Sequence, residues 1–228
     1  WVCLTFDPQG RAVISPQRGG LLRATIPGVS VDAAGATCQA PETEIAPIES
    51  SVGSAQGLCF VDGALFVQVA EAGDQNGLWR LRDADGNGSF ENAERLLAYG
   101  PEGGEHGPHG VVQGPDGALY IAIGNHTRLP DTLATPATDT APGAAPGSPY
   151  DHFGEDLAGP RMWDPRGHAV GIRAPGGVVL RVDPATGAAQ VMVGGFRNAY
   201  DHCFNAEGEL FTYDSDMEWD IGAPWYRA

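Results

Sequence analysis

One motif recurs along this chain and restricts its fold more than any other feature. It is a short strand-like run, a turn closed by glycine, and a second run rich in aromatic and β-branched residues. It stands as Phe6-Asp-Pro-Gln-Gly-Arg-Ala-Val-Ile14, Phe60-Val-Asp-Gly-Ala-Leu-Phe-Val67, Gly114-Pro-Asp-Gly-Ala-Leu-Tyr-Ile121 and Phe204-Asn-Ala-Glu-Gly-Glu-Leu-Phe-Thr212. The turn glycines Gly10, Gly63, Gly117 and Gly208 lie 53, 54 and 91 residues apart. The last interval is one period plus an insertion of about 37 residues.

Each unit continues into a third strand that follows a glycine: Leu21-Leu-Arg23, Leu78-Trp-Arg80 and Val178-Val-Leu-Arg181. A fourth is expected at Arg95-Leu-Leu-Ala98 and at Gln190-Val-Met-Val193. Apolar residues alternate by two, so helical repeats are excluded. Four antiparallel strands per fifty-odd residues define the blade of a β-propeller. The fold class is therefore all-β, one propeller domain of about three and a half blades over residues 1–228. Half a blade cannot close a ring and leaves sheet edges bare. The expectation is an incomplete piece of a larger propeller. A loop insertion at 127–177 interrupts the third blade; its first half is rich in Pro, Ala, Thr and Gly and reads as irregular.

The net charge is −16, and all thirteen basic residues are arginine. Such a surface repels nucleic acid and anionic membranes. Apolar runs are too short to span a bilayer, so no membrane insertion is expected of this chain. The four cysteines, Cys3, Cys38, Cys59 and Cys203, form no C-x-x-C pair, which argues against a zinc ribbon or haem attachment here. Three lie in apolar strand-like contexts and read as buried free thiols.

Chemistry concentrates in two segments. Glu105-His-Gly-Pro-His109 precedes the first strand of the third unit, where propeller ligands bind, and offers a His-x-x-His pair beside a carboxylate. Loop histidines are often only solvated, and without helical spacing the pair is a weak metal motif. Gly194-Gly-Phe-Arg-Asn-Ala-Tyr-Asp-His202 leads into the fourth unit and carries Arg197, a planar cationic fork suited to carboxylates.

Together these segments resemble the soluble quinoprotein glucose/sorbosone dehydrogenases, six-bladed propellers that bind pyrroloquinoline quinone (PQQ). The family pattern runs from a histidine, through Pro-Asp-Gly, to an aromatic strand ending Gly-Asp. Here it reads His106, Pro115-Asp-Gly117 and Leu119-Tyr-Ile-Ala-Ile-Gly124, with Asn125 where the family has aspartate. The Gly-x-Arg-Asn pattern reads Gly195-Phe-Arg-Asn198. The phrases at Arg166–Gly177 and Gly208–Arg227 are similar to a planctomycete-type branch whose propeller is often joined to a c-type cytochrome segment.

The resemblance implies a six-bladed ring outside the cytoplasm, periplasmic or secreted. It also implies a sugar or alcohol substrate and a possible cytochrome as electron acceptor. His106 would be the general base, oriented by Asn125, while Arg197, Asn198 and His109 would lie against the quinone. Calcium has two candidate sites. Asp83, Asp85, Asn87, Ser89 and Glu94 fit a twelve-residue EF-hand loop, although strands flank it. The acidic run Asp214-Ser-Asp-Met-Glu-Trp-Asp220 offers Asp216 and Glu218; the family's ion at this place is held mainly by backbone carbonyls. Two alternatives stay open: a metal-dependent lactonase recruiting Glu105, Asn125 and Asp214, and a non-catalytic propeller binding carbohydrate or a protein partner.

Overall fold

The four glycines that set the repeat all have left-handed backbones, with φ of 77°, 74°, 80° and 83° at Gly10, Gly63, Gly117 and Gly208. Space for a side chain exists at the first three, so conformation rather than crowding requires glycine there. These turns join the first two strands of every blade. The computed structural model describes residues 1–27, 42–101, 105–130, 133 and 177–214. Most of the insertion, Cys38, Asp216 and Glu218 lie outside the described residues.

The first blade comprises β1 (Cys3–Phe6), β2 (Ala12–Ser15), β3 (Leu22–Thr25) and β4 (Glu44–Pro47). The second comprises β5 (Ala55–Val61), β6 (Ala64–Val69), β7 (Gly77–Arg82) and β8 (Asn92–Ala98). The third holds β9 (Pro108–Gln113), β10 (Leu119–Ile123), β11 (Gly177–Val182) and β12 (Ala189–Phe196). A hairpin of β13 (His202–Phe204) and β14 (Leu210–Thr212) begins the fourth. Strands pair antiparallel in chain order within each sheet. There is no helix among the described residues, and none that could cross a membrane. This is the propeller arrangement the repeat predicts.

The innermost strands face one another: β5 lies between β1 and β9, and β9 between β5 and β13. They line an open cleft of about 430 Å³ bordered by Leu4, Gln56, Leu58, Gly110, Val112 and Asp201. Stacking blades face to face buries both sides of the middle sheets. On β6, Leu65, Val67 and Val69 pack toward blade one, while Ala64 and Phe66 pack toward blade three. Hence Ala64-Leu-Phe-Val-Gln-Val69 is buried at every position and reads as a nearly continuous apolar run. Each such buried Leu or Phe contributes roughly 1.5–3 kcal/mol.

Arginines on the third strands latch neighbouring blades. Arg23 of β3 donates to the Gly88 carbonyl in the β7–β8 turn at 2.6 Å. Arg80 of β7 donates to the Pro184 and Ala185 carbonyls in the β11–β12 turn at 2.9 and 2.8 Å. The cysteines depart from the buried-thiol expectation: Cys3 and Cys59 are half-buried free thiols, and Cys203 is exposed. On β13 Cys203 stands opposite Phe211 of β14, which is also exposed. Burial pushes the Cys3 thiol up to about 12, so it stays protonated.

Candidate functional site

Three chain segments converge where blade three begins: the histidine segment entering β9, the turn leaving β10, and the connection from β12 to β13. Backbone hydrogen bonds join them. Gly124 N–H donates to the Gly107 carbonyl at 2.8 Å, and His126 N–H to the His106 carbonyl at 3.0 Å. Asn125 N–H donates to the Arg197 carbonyl at 2.9 Å, and Gly110 N–H to that of Tyr200 at 3.0 Å. The predicted residues His106, His109, Asn125, Arg197 and Asn198 thus come together although 92 positions separate the first from the last.

His106 is 2% exposed, and its Nδ1 lies 2.8 Å from Asn125 Oδ1. That oxygen can only accept, so Nδ1 carries the proton and Nε2 is the basic nitrogen of the neutral ring. The ring stacks on His126, with centroids 4.2 Å apart. The side-chain Nδ2 of Asn125 is buried without a hydrogen-bond partner among the described residues.

His109 repeats the arrangement with the nitrogens exchanged. Its Nε2–H donates to Asn198 Oδ1 at 2.6 Å, which leaves the lone pair on Nδ1. Burial pushes its pKa below the usual histidine value; the Asn198 contact opposes this and the nearby His106 adds to it. Its ring packs on Tyr200 at 4.5 Å.

Gly124 sits between the two His–Asn pairs. A Cβ there would lie 2.4 Å from the His106 carbonyl oxygen and 2.5 Å from Asn198 Oδ1. Any side chain would drive the pairs apart. Asp214 braces the same corner: its two carboxylate oxygens accept the backbone N–H of Arg197 and of Asn198, both at 2.7 Å. A carboxylate gripped by consecutive amides fixes that peptide's orientation. Arg197 itself is 2% exposed, the largest fully buried side chain among the described residues.

A cleft of about 860 Å³ opens beside this corner, walled by Arg18, Gln56, Glu71, Glu105, His109 and Tyr200. It lies at the entry to the innermost strands, under the β2–β3 and β6–β7 connections. His109 is on its wall; His106 is not among the residues that line it.

In the acidic loop the described side chains are grouped differently from the predicted ligand set. Among the described residues, carboxylate oxygens of Asp83, Asp85 and Glu91 lie within 4.8 Å of one another. Glu94 is not with them; it stands opposite Arg80 in the β7–β8 ladder and contacts it at 2.5 Å. The twelfth position of an EF-hand belongs to a helix, whereas here a strand turns it onto the Arg80 face. Asn87 Oδ1 accepts from Ser89 N–H at 2.7 Å, and its Nδ2 donates to Asp85 Oδ2 at 3.1 Å. Both residues serve the turn itself.

The sequence reading gave no role to His126 and Tyr200, and named Gly124 only as the end of the matched strand. His126 directly follows Asn125 and Tyr200 lies two residues beyond Asn198, so adjacency to the matched motifs was the available signal.

No protein-family model matches the chain, and no curated protein matches it. Among solved structures it is similar to that of a provisionally assigned gluconolactonase, with a TM-score of 0.50 and 15% identity over 93% of this chain. The chain spans 55% of that structure's length. At such identity the likeness speaks for the fold alone, and the fold it supports is the β-propeller already drawn from the strands.

Proposed function

We propose that this propeller acts on a sugar or related alcohol as a quinone-dependent (PQQ) oxidoreductase, with His106 as its general base. The supporting observation is the convergence of His106, Asn125, Arg197 and Asn198 at one corner, in the order the quinoprotein resemblance requires. Held by Asn125 at Nδ1, the ring presents Nε2 as the lone pair a general base uses.

The described residues meet a quinone's needs in part. Asn125 Nδ2 is buried without an acceptor among the described residues, but neither Asn125 nor His106 lines the cleft. The cleft has ample volume, and Arg18 on its wall can face a carboxylate, against Glu71 and Glu105. Arg197 and Asn198 are the residues assigned to hold the cofactor. When bound, the quinone supplies the hydride acceptor. The chain's own part is to orient the hydroxyl, receive its proton at His106 Nε2 and keep that ring fixed through Asn125. Electron hand-over to a cytochrome and a location outside the cytoplasm belong to the same proposal. So does a structural calcium at Asp83, Asp85 and Glu91.

The lactonase reading draws support from the name of the similar structure. It needs Glu105, Asn125 and Asp214 to share an ion, yet Asn125 Oδ1 is engaged by His106 and both Asp214 oxygens by backbone amides. One experiment separates the readings. Full-length protein with PQQ, calcium and an aldose should reduce an artificial electron acceptor, and His106→Ala should not. Opening of a sugar lactone with no acceptor present would favour the hydrolase, and absence of quinone binding at micromolar concentration would sink the oxidoreductase. Sugar binding without either reaction would favour the carbohydrate-binding scaffold.

A further inference from the structure

Blade two carries two asparagine–glycine dipeptides, Asn76-Gly77 and Asn87-Gly88. A glycine after asparagine presents its peptide nitrogen with no Cβ to shield it, and that nitrogen can close a ring on the asparagine's own side-chain carbon. The fold treats the two pairs differently. Asn76 is 1% exposed, and Gly77 is held in the ladder between Val69 of β6 and Ala98 of β8. Asn87 is exposed, in the turn between the end of β7 and the start of β8.

The contact between blades one and two restrains that turn. Gly88 is buried, and its carbonyl accepts Arg23 Nη2 at 2.6 Å. Its φ is 94°, and a Cβ on it would lie 2.8 Å from Arg23 Nη1. Its N–H donates to Asp83 Oδ2 at 2.8 Å. The Asn87 side chain is tied at both ends: Oδ1 accepts from Ser89 N–H at 2.7 Å, and Nδ2 donates to Asp85 Oδ2 at 3.1 Å. Ring closure requires the Gly88 nitrogen to lose its proton, and a carboxylate at hydrogen-bond distance opposes the anion that would form. It also requires both residues to rotate, which the side-chain contacts and the guanidinium over Gly88 resist.

We infer that Asn87–Gly88 is a self-modification site gated by the Arg23 latch: it deamidates when blade one lifts from the turn and is protected while the latch is closed. The Gly88 nitrogen, its proton taken by hydroxide, attacks Asn87 Cγ. The Cγ–Nδ2 bond breaks, and ammonia leaves after taking a proton from water. A second water opens the five-membered imide at either carbonyl, which gives aspartate or isoaspartate at position 87. The balance is one water consumed and one ammonia released, with nothing oxidised or reduced. In the isoaspartate form the main chain runs through Cβ and is longer by about 1.5 Å. The Gly88 carbonyl is then displaced from Arg23, so the opening that permits the reaction is made permanent by it.

The test is to age the full-length protein at mildly alkaline pH and follow each asparagine by mass spectrometry. Cleavage after Arg80, Arg82 and Arg95 places Asn76 and Asn87 on separate fragments. A synthetic peptide of residues 83–95 gives the unrestrained rate. If the reaction occurs only from an open state populated at about 0.1–10%, Asn87 should convert roughly 10- to 1000-fold more slowly than the peptide. Asn76, which the ladder holds, should convert more slowly still. Arg23→Ala should move the Asn87 rate toward that of the peptide and leave Asn76 slow. Asp83→Ala, which keeps the arginine and removes the acceptor of the Gly88 amide, should also accelerate Asn87. Wild type converting at the peptide's rate overturns the inference, as does conversion of both asparagines in step. So does an Asn87 rate that neither variant changes. Should Arg23→Ala accelerate both asparagines by unfolding the chain, the Asp83→Ala rate decides.

Discussion

Two segments of this chain are equally rich in reactive side chains and are held together in opposite ways. In the acidic turn, the hydrogen bonds of Asp83 reach Gly86 and Gly88, three and five residues on, and Asp85 reaches Asn87. In the histidine segment, His106 reaches 19 residues along the chain and His109 reaches 89. A turn that satisfies itself can form before the blades stack. A site whose partners are that distant exists only in the assembled propeller, and its geometry then depends on blade packing.

The largest expected contrast is catalytic. His106→Ala should lower turnover by roughly 10²- to 10⁴-fold, whereas Asp83→Asn should leave it within error. Steady-state kinetics on both variants would check this, and equal effects would erase the distinction between the segments. Next comes backbone crowding. Gly124→Ala must displace two His–Asn pairs and should cost about 1–3 kcal/mol. Gly86→Ala, in the acidic turn at φ 78° with open space around it, should cost only the left-handed strain, about 1 kcal/mol. Denaturant midpoints would rank the two.

Acid should also act on one segment first. Burial lowers the pKa of His109, and of His202, whose Nε2–H donates to the Tyr120 carbonyl at 3.0 Å. Between the depressed folded value and the unfolded value near 6.5, the unfolded chain binds more protons. Stability therefore falls as pH drops below about 6.5, by up to about 1.4 kcal/mol per pH unit for each histidine. His109→Phe should flatten part of that slope in urea titrations at successive pH values. The smallest effect is calcium's. At a concentration equal to its Kd, stabilisation is only about 0.4 kcal/mol. Melting curves should show it in wild type and in Glu94→Gln but not in Glu91→Gln.

The same contrast explains what could be read from sequence. The blade turns were legible because left-handed backbone selects glycine wherever it recurs, as at Gly10, Gly63 and Gly117. Strand β4 was not, since Glu44-Ile-Ala-Pro47 is exposed throughout and shows no apolar alternation. His106, Asn125, Arg197 and Asn198 could be matched as motifs, but motif order carries no information about which side chain meets the cleft. That His109 rather than His106 lines it depends on how β9 enters its sheet. Glu94 stands apart from Asp83 and Asp85 for a similar reason: the spacing was borrowed from a helix, and here a strand turns Glu94 toward Arg80.

The two arginine latches give the stack of blades a direction. Arg23 finds its acceptor one blade ahead, at Gly88, and Arg80 finds its own one blade further, at Pro184 and Ala185. The first two blades thereby each carry an address for the next, written on the third strand and read by the following turn. Arg181, on the third strand of blade three, instead turns back to Asp116 of its own blade. A shuffled arrangement would present these two guanidiniums of blades one and two with turns of different shape, so the contacts favour the observed order of blades.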